Sequence, residues 1–344
     1  MAVQDTKVVT SEDLLNKIGT FGRYQILLLL FAIYAVLCWC AFADVTTYFL
    51  IAEPRWECVN GNNSCNITGS IGPGEEHYEY RCGTGISRQD WKFVDEYTSL
   101  VTQSVGAIIG GFVIGIVSDK FGRKSAFFLS GLLMTSLLLF VRSAQSFWMA
   151  AVATYFIGVA YYGCLWSSII YIIEFVGIKQ RTIVGNILWT SYGLGFMIGA
   201  GIGYLVREWT TFVLIITLCA ISPLAMYWFV PESLRWLIVK GRVHRALTTL
   251  KKIAKINKKV IEDDIELPTF EEEKFTPGDI RLLFSPGYAK YTLVLWYGWF
   301  VNSLIYNGVH LSAPIVGGSL YFNWFLAGIS ELVSNLVAVY VHNR

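Results

Sequence analysis

Long apolar runs alternate with short polar segments along almost the whole chain. Crossing about 30 Å of hydrocarbon takes about 20 mostly apolar residues in an α-helix. Eight runs approach or exceed this length, and they predict an all-α, multi-pass membrane protein. They cover residues 24–51, 97–118, 125–141, 147–173, 183–206, 209–230, 290–311 and 318–341. The segment before the first run, SEDLLNKIGTFGRYQ, is polar and amphipathic rather than a secretory leader, so the first run is expected to remain as an anchor.

The composition agrees with this pattern. Apolar residues make up 54% of the chain and charged residues only 15%, whereas a soluble domain carries about 25% charged residues. The chain has no zinc-ligand spacing, no HExxH or GxSxG motif and no phosphate-binding glycine loop. We therefore expect the lipid bilayer as a partner, and no enzyme activity, resident metal, cofactor or nucleic-acid partner.

The distribution of Lys and Arg predicts the orientation in the membrane. Basic residues are concentrated in the short turn 119–124 and in the long segment 231–289, whereas 52–96 is richer in Asp and Glu. Cytosolic loops carry the excess of Lys and Arg in membrane proteins. The N-terminal segment 1–23, the turn and the long segment are therefore expected in the cytosol. The net charge of +2 carries no information of its own, because the signal lies in the asymmetry.

The segment 52–96 fits an extracellular loop. Asn62 and Asn66 begin N-glycosylation sequons, which are used only on the luminal or outer side. Cys58, Cys65 and Cys82 lie in the same segment, where an oxidising environment allows one disulfide and leaves one thiol over. Which two cysteines pair stays open.

Glycines recur every four residues within two predicted spans. Small residues at this spacing let helix backbones approach closely in lipid. The contact could be static, or it could slide during a conformational cycle. The glycines concerned are Gly195, Gly199 and Gly203 in the fifth span, and the pairs Gly106 with Gly110 and Gly111 with Gly115 in the second.

The charged turn GIVSDKFGRK between the second and third spans resembles the signature loop of the major facilitator superfamily. Gly122 permits a tight turn, and Asp119 could neutralise the neighbouring cations or cap a helix. Other segments occur in the same order as in the organic cation/carnitine/anion transporter family, and the resemblance spans nearly all of residues 13–344. These segments are IGTFGRYQ, PRWEC, EFVGIKQRT, VPESLRWLIVKGR and WFVNSLIYNG.

The resemblance implies a secondary transporter that moves a small organic ion by alternating access between two helical bundles. Residues 24–230 would form the six-helix N-terminal bundle, 231–289 a cytosolic linker, and 290–344 the first two helices of the C-terminal bundle. About eight of the twelve helices of the family are then present, so we expect a fragment or a truncated product. Within the linker, apolar residues at helical spacing from Val243 to Ala254 predict an amphipathic helix on the inner membrane face.

Six residues are candidates for substrate binding. A charge inside a membrane helix is costly and usually faces a cavity or a partner. Glu331 matches a carboxylate of the family's central cavity, although the family's E-x-P reads Glu-Leu-Val here. Asp44 falls where cation-transporting relatives carry an aromatic residue; it would favour cations, or it is hydrated and structural near the outer boundary. The resemblance adds Tyr306 and Trp166, the latter one position off a cavity tryptophan of the family. Asn302 lies one helical turn before Tyr306 on the same face. Trp189 stands near a place where cation-transporting relatives carry a polar residue, and this departure argues for a different ligand.

A second set of charged residues is expected at the cytosolic ends of the helices. The resemblance implies an ion-pair network that latches the bundles when the transporter faces outward, with Glu174 and Arg181 as a family charge pair. The alternative is a set of solvated loop charges, each worth less than about 1 kcal/mol. The residues are Asp119, Arg123, Lys124, Glu174, Arg181, Glu232 and Arg235.

Three functions remain open from the sequence. The first is transport of an organic cation or zwitterion such as carnitine across the plasma membrane. The second is an organic-anion or sugar-like carrier, although Asn335 stands where the anion branch carries a Lys. The third is a non-transporting truncated isoform that binds a second copy of itself or a full-length relative.

Overall fold

The computed structural model describes residues 11–51, 56–58, 67–69, 98–144, 147–206, 209–260, 280–312 and 319–342. Within these ranges the chain is almost entirely helical. The α-helices are α1 (Ser11–Ile18), α2 (Arg23–Val36), α3 (Phe42–Ile51), α4 (Thr98–Phe121), α5 (Arg123–Arg142), α6 (Phe147–Ile173), α7 (Ile178–Leu205), α8 (Trp209–Ile221), α9 (Leu234–Val239), α10 (Val243–Asn257), α11 (Ala289–Ser312) and α12 (Leu320–His342). Two short strands, β1 (Trp56–Cys58) and β2 (Ile67–Gly69), pair antiparallel with Trp56 opposite Gly69.

The predicted spans coincide with the long helices. Among the described residues, seven helical segments are long and apolar enough to cross a membrane. The remaining predicted span, 290–311, forms α11, which has 24 residues but carries several polar side chains, among them Asn302 and His310. α8 continues through a 3₁₀ segment, Ser222–Trp228, that begins next to Pro223, a residue that lacks the N–H needed to continue an α-helix.

The first spanning helix is interrupted by a π-helical turn. α2 and α3 are joined by the turn Leu37–Ala41. Turns of this kind are rare inside α-helices, and those that occur are often found at functional sites. Trp39 in this turn is fully buried, and its Nε1–H donates to the carbonyl of Ala220 at 2.7 Å. Gly131 leaves room for the indole, because a Cβ at this position would lie 2.6 Å from the ring. A π turn rotates all later side chains relative to an uninterrupted α-helix, and it therefore sets the direction of Asp44 in α3.

Glycines bring α4 and α6 into backbone contact. A Cβ on Gly110 would lie 2.6 Å from the Cα of Val159. A Cβ on Gly106 or Gly158 would likewise run into the backbone of the opposite helix. The predicted close approach is thus present for Gly106 and Gly110, whereas Gly111 and its partner Gly115 have open space around them.

α7 makes close contacts on two sides. A Cβ on Gly199 would lie 3.0 Å from Val45 of α3, and Gly195 faces Ala41 at the end of the π turn. On its other side, a Cβ on Gly193 would lie 2.7 Å from the carbonyl oxygen of Gly328 in α12, and the reverse distance is also 2.7 Å. These contacts hold α7 between the first spanning helix and α12.

The predicted amphipathic helix in the linker is α10, but its apolar face does not lie against lipid. Leu250 and Ile253 are buried in the core together with Leu14 and Ile18 of α1. At the C-terminal end of α10, the Asn257 side chain donates to the carbonyl of Ile18 at 2.9 Å and to Gln25 Oε1 at 3.0 Å, and it accepts from the backbone N–H of Tyr24 at 2.8 Å. The end of α10 is therefore fixed to the start of the first spanning helix.

The predicted features of the acidic loop are not tested by the structure. Asn62, Asn66, Cys65 and Cys82 lie outside the described residues, and Cys58 ends strand β1. Glycosylation and the disulfide therefore stay predictions.

We expect Gly110→Ala to lower the free energy of unfolding by about 1–3 kcal/mol, because the added methyl group forces α4 away from α6. Gly111→Ala is the matched control, since a Cβ there meets nothing within 4 Å. Thermal unfolding of both variants in detergent micelles measures the difference. Equal midpoints for the two would show that the backbone contact does not stabilise the protein.

Candidate functional site

A cavity of about 570 Å³ opens between five helices in the middle of the molecule. Asp44 is the one carboxylate among the described residues that line it, and these residues include no Lys or Arg. Aromatic rings form much of the remaining wall. The lining residues are Asp44 and Tyr48 of α3; Gln103, Ser104, Ala107, Ile108, Gly111 and Phe112 of α4; Tyr161, Tyr162, Leu165 and Trp166 of α6; Trp189 and Tyr192 of α7; and Trp299, Asn302, Ser303, Tyr306 and Asn307 of α11.

The Asp44 carboxylate is held by hydrogen bonds from two other helices. The hydroxyl of Tyr161 donates to Oδ2 at 2.6 Å, and Nε2 of Gln103 is 3.4 Å from Oδ1. The carboxylate is half-buried. Hydrogen bonds to an ionised acceptor are stronger than those between neutral groups, so α4 and α6 together fix an acidic group at the cavity wall.

Aromatic rings surround this carboxylate in pairs. Tyr161 and Tyr192 lie 6.4 Å apart between ring centroids, and Trp189 lies 5.4 Å from Tyr192. Across the cavity, Trp166 of α6 and Trp299 of α11 meet edge to face at 6.1 Å. The faces of such rings attract cations within about 6 Å. A carboxylate among rings, with no basic side chain among the described lining residues, suits a positively charged ligand.

The structure brings together five of the six residues expected at the substrate site, namely Asp44, Tyr306, Asn302, Trp166 and Trp189. Glu331 is not among the lining residues. It lies on α12, three residues after Gly328, and its Oε2 is buried without a hydrogen-bond partner in the described part of the chain.

Sequence reasoning missed the residues that hold Asp44 in place. Tyr161 follows an apolar run, and Gln103 is a polar residue in the predicted span 97–118. The polar run Thr102–Gln103–Ser104 inside an apolar span was a usable signal for Gln103. Nothing in the sequence, however, indicates that Tyr161 and Gln103 meet the same carboxylate.

A charge cluster lies at the end of the bundle where α4 and α5 meet. Gly122 forms the turn between these helices with φ of 111°, a conformation that favours glycine. Arg123 pairs with Asp119 of α4, and its Nε lies 3.2 Å from Oε1 of Glu174 after α6. The other oxygen of Glu174 accepts a hydrogen bond from the hydroxyl of Ser233.

Glu232 caps α5 within this cluster. Its Oε1 accepts from the backbone N–H of Lys124 at 2.9 Å and from that of Ser233 at 3.0 Å. Burial raises the pKa of the Glu232 carboxyl, and these backbone hydrogen bonds act in the opposite direction. Of the two roles considered for Asp119, the structure shows neutralisation of Arg123, while Glu232 supplies the cap.

The remaining predicted members take different places. The Lys124 ammonium lies 4.1 Å from the centroid of the Tyr227 ring. Arg181 donates from Nε to the carbonyl of Ile173 at 3.2 Å. Arg235 is exposed, and no described ion pair joins it to the cluster. Ser233, which sequence reasoning missed, both caps α9 and bonds to Glu174.

The described residues hold no group of three or more His, Cys, Asp or Glu side chains that could bind a metal ion.

The family model named "Sugar (and other) transporter" matches residues 68–307. The chain belongs to this family. The predicted resemblance to the major facilitator superfamily is thus confirmed, and the chain is a multi-pass integral membrane protein. Since members of the family are transporters, the prediction that the chain is not an enzyme is also confirmed.

Several curated proteins are similar to the chain. Solute carrier family 22 member 3 of Rattus norvegicus is 30% identical over 276 residues, which cover 74% of this chain and 50% of the relative. The organic cation transporter protein of Drosophila melanogaster is 26% identical over 393 residues, covering 97% of this chain and 71% of the relative. The chain spans about half the length of most of the curated relatives it matches.

Among solved structures, the partially occluded inward-open xylose transporter XylE of E. coli is similar, with a TM-score of 0.49 and 16% identity. The match covers 92% of this chain and 70% of that one.

We expect Tyr161→Phe to lower the free energy of unfolding by about 1–3 kcal/mol, because Asp44 loses a charge-assisted hydrogen bond in a half-buried position. Tyr162→Phe is the matched control on the adjacent residue, whose hydroxyl makes no described hydrogen bond to Asp44. Thermal unfolding in detergent micelles measures both. A control variant that loses as much stability as Tyr161→Phe would contradict the assigned role.

Proposed function

We propose that this protein binds small organic cations in the cavity at Asp44 and, as part of a secondary transporter, moves them across the membrane by alternating access. The arrangement of Asp44 carries the proposal. Its carboxylate is fixed by Tyr161 and Gln103 at the wall of an aromatic cavity, and no Lys or Arg stands among the described lining residues.

The relatives support a cationic substrate. The similarity to the organic cation transporter protein of Drosophila melanogaster extends over 97% of this chain. An organic anion would meet an uncompensated carboxylate in the cavity, at an energetic cost that rises with burial. A neutral sugar would leave the carboxylate and the aromatic faces without their preferred ligand. A zwitterion such as carnitine carries a quaternary ammonium group and so offers the Asp44 carboxylate the positive charge of an organic cation. It is a second candidate substrate.

We further propose that the end of the bundle with the Gly122 turn faces the cytosol, with the N-terminus on the same side and the plasma membrane as the location. Lys120, Arg123 and Lys124 lie at this end, where the positive-inside rule expects them. In this orientation the sequons at Asn62 and Asn66 face outward. Residues 24–230 then form the first bundle, and α11 and α12 belong to the second.

The charge cluster is proposed as a conformational latch. It links the ends of α4, α5 and α6 with the start of α9, and its described members include no residue of α11 or α12. A latch acts on a transport cycle only by its difference in energy between states. We expect the cluster to hold the ends of α4, α5 and α6 together more strongly in one state than in the other, and so to bias their separation from α11.

The first experiment tests the cavity. We expect the purified chain in lipid nanodiscs to bind radiolabelled tetraethylammonium, and Asp44→Asn to weaken binding about tenfold or more through loss of the ionic attraction. Ser104→Ala, which lines the same cavity without a charge, is the control and should bind as the wild type does. Glucose and p-aminohippurate serve as neutral and anionic probes. Binding of either probe in place of tetraethylammonium would reject the cation proposal.

The second experiment tests the latch. Spin labels at the exposed positions Phe121 and Tyr288 report the separation of α4 from the start of α11. Arg123→Gln should shift the population of the two states by about 1 kcal/mol or more, roughly fivefold. Arg235→Gln removes the same charge outside the cluster and should leave the distance distribution unchanged. Identical distributions in both variants would refute the latch.

A further inference from the structure

His310 occupies a closed aromatic box near the C-terminal end of α11. The side chain is only 6% exposed. Its ring centroid lies 4.2 Å from that of Tyr306 on its own helix, 5.9 Å from Tyr48 of α3, 5.2 Å from Phe196 of α7 and 5.5 Å from Trp324 of α12. A titratable side chain is thus enclosed by rings from four helices.

The hydrogen bonds of the imidazole identify where a proton would bind. Nδ1 of His310 lies 2.8 Å from the carbonyl oxygen of Tyr306. A carbonyl oxygen only accepts, so Nδ1 carries the hydrogen and the neutral ring keeps its lone pair on Nε2. Within the described residues, Nε2 is buried without a hydrogen-bond partner. A proton taken up at Nε2 would give an imidazolium facing aromatic rings, which stabilise a cation by cation–π attraction.

The box and the cavity share two of these rings. Tyr48 and Tyr306 line the cavity and also pack against His310. A cation in the cavity and a proton on His310 would therefore both lie next to these two rings. The positive charge of the cation and that of the imidazolium would repel each other, and the low polarity of the site strengthens this repulsion.

We propose that His310 is a proton-binding site whose occupancy opposes the binding of an organic cation in the cavity. This inference rests on the proposed function, since it needs a cationic ligand. Proton and substrate then bind at two neighbouring sites, each weakening the other, and acid weakens substrate binding. Because the coupling is reciprocal, bound substrate lowers the proton affinity of His310 by the same factor.

Other titratable groups near the box define the control. Tyr48 and Tyr306 face the imidazole from α3 and α11, while α7 and α12 present the non-titratable rings of Phe196 and Trp324. The nearest carboxylates on these helices are Asp44, one turn before Tyr48, and Glu331, two turns after Trp324. Neither is described as hydrogen-bonded to the imidazole. Protonation of either carboxylate also weakens cation binding in acid, so the effect of His310 must be measured as a difference between variants.

The test is equilibrium binding of tetraethylammonium to the chain in lipid nanodiscs at about pH 8 and about pH 5.5. These values lie above and below the ordinary pKa of a histidine side chain. The wild type should bind on the order of tenfold more weakly at the lower pH than at the higher pH. His310→Gln and His310→Phe should match the wild type at the higher pH and lose clearly less affinity in acid. An equal loss of affinity in the wild type and both variants would overturn the inference and leave the proposed function intact. Absence of binding at both pH values would reject the proposed function, and this inference with it.

A second measurement needs no change at His310. The chain has four histidines, and replacing the other three leaves one imidazole signal for ¹³C NMR. Saturating tetraethylammonium should shift the midpoint of the pH titration of this signal to lower pH. The size of the shift should match the change in tetraethylammonium affinity between the two pH values. A titration that stays in place while the ligand is bound would overturn the inference, even if the His310 variants fail to fold.

Discussion

Apolar side chains gain little by moving from lipid into a helix interface, so the spanning helices of this protein associate where their backbones can touch. Gly106, Gly110 and Gly158 provide that contact between α4 and α6, and Gly193 and Gly328 provide it between α7 and α12. The positions of the cavity walls follow from these contacts. α4 and α6 supply Gln103 and Tyr161 side by side, and a wider spacing between these helices would separate the two donors that share Asp44.

The one carboxylate among the described residues of the cavity wall has hydrogen-bond partners supplied by the protein, because hydrocarbon offers none. Asp44 receives hydrogen bonds from two helices and remains half-buried. Glu331 and His310 differ, since each keeps a buried polar atom without a hydrogen-bond partner in the described structure. Such atoms cost free energy, because burial removes their hydrogen bonds to water without replacing them. Of the two residues, His310 packs against Tyr306, which lines the proposed site of the cation.

The cavity and the charge cluster are mechanically connected by two helices. α4 carries Gln103 in the cavity and Asp119 in the cluster, and the two are separated by about 24 Å along a helix that rises 1.5 Å per residue. α6 carries Tyr161, and Glu174 follows its last turn. A change in the angle between α4 and α6 would therefore alter the hydrogen bonds to Asp44 and the ion pairs of Arg123 together. This shared pair of rigid helices is a physical route from ligand binding to the end of the bundle.

The sequence by itself located the long apolar helices, because hydrophobic length is a local property of the chain. It also predicted the Gly122 turn, the family and five residues of the cavity wall, although none of these five came from hydrophobic periodicity. Only the tertiary structure decided which side chains meet. The partners of Asp44, the cap that Glu232 places on α5 and the burial of the α10 apolar face depend on residues far apart in the chain. The aromatic box of His310 depends on four helices at once, and no local pattern encodes such a contact.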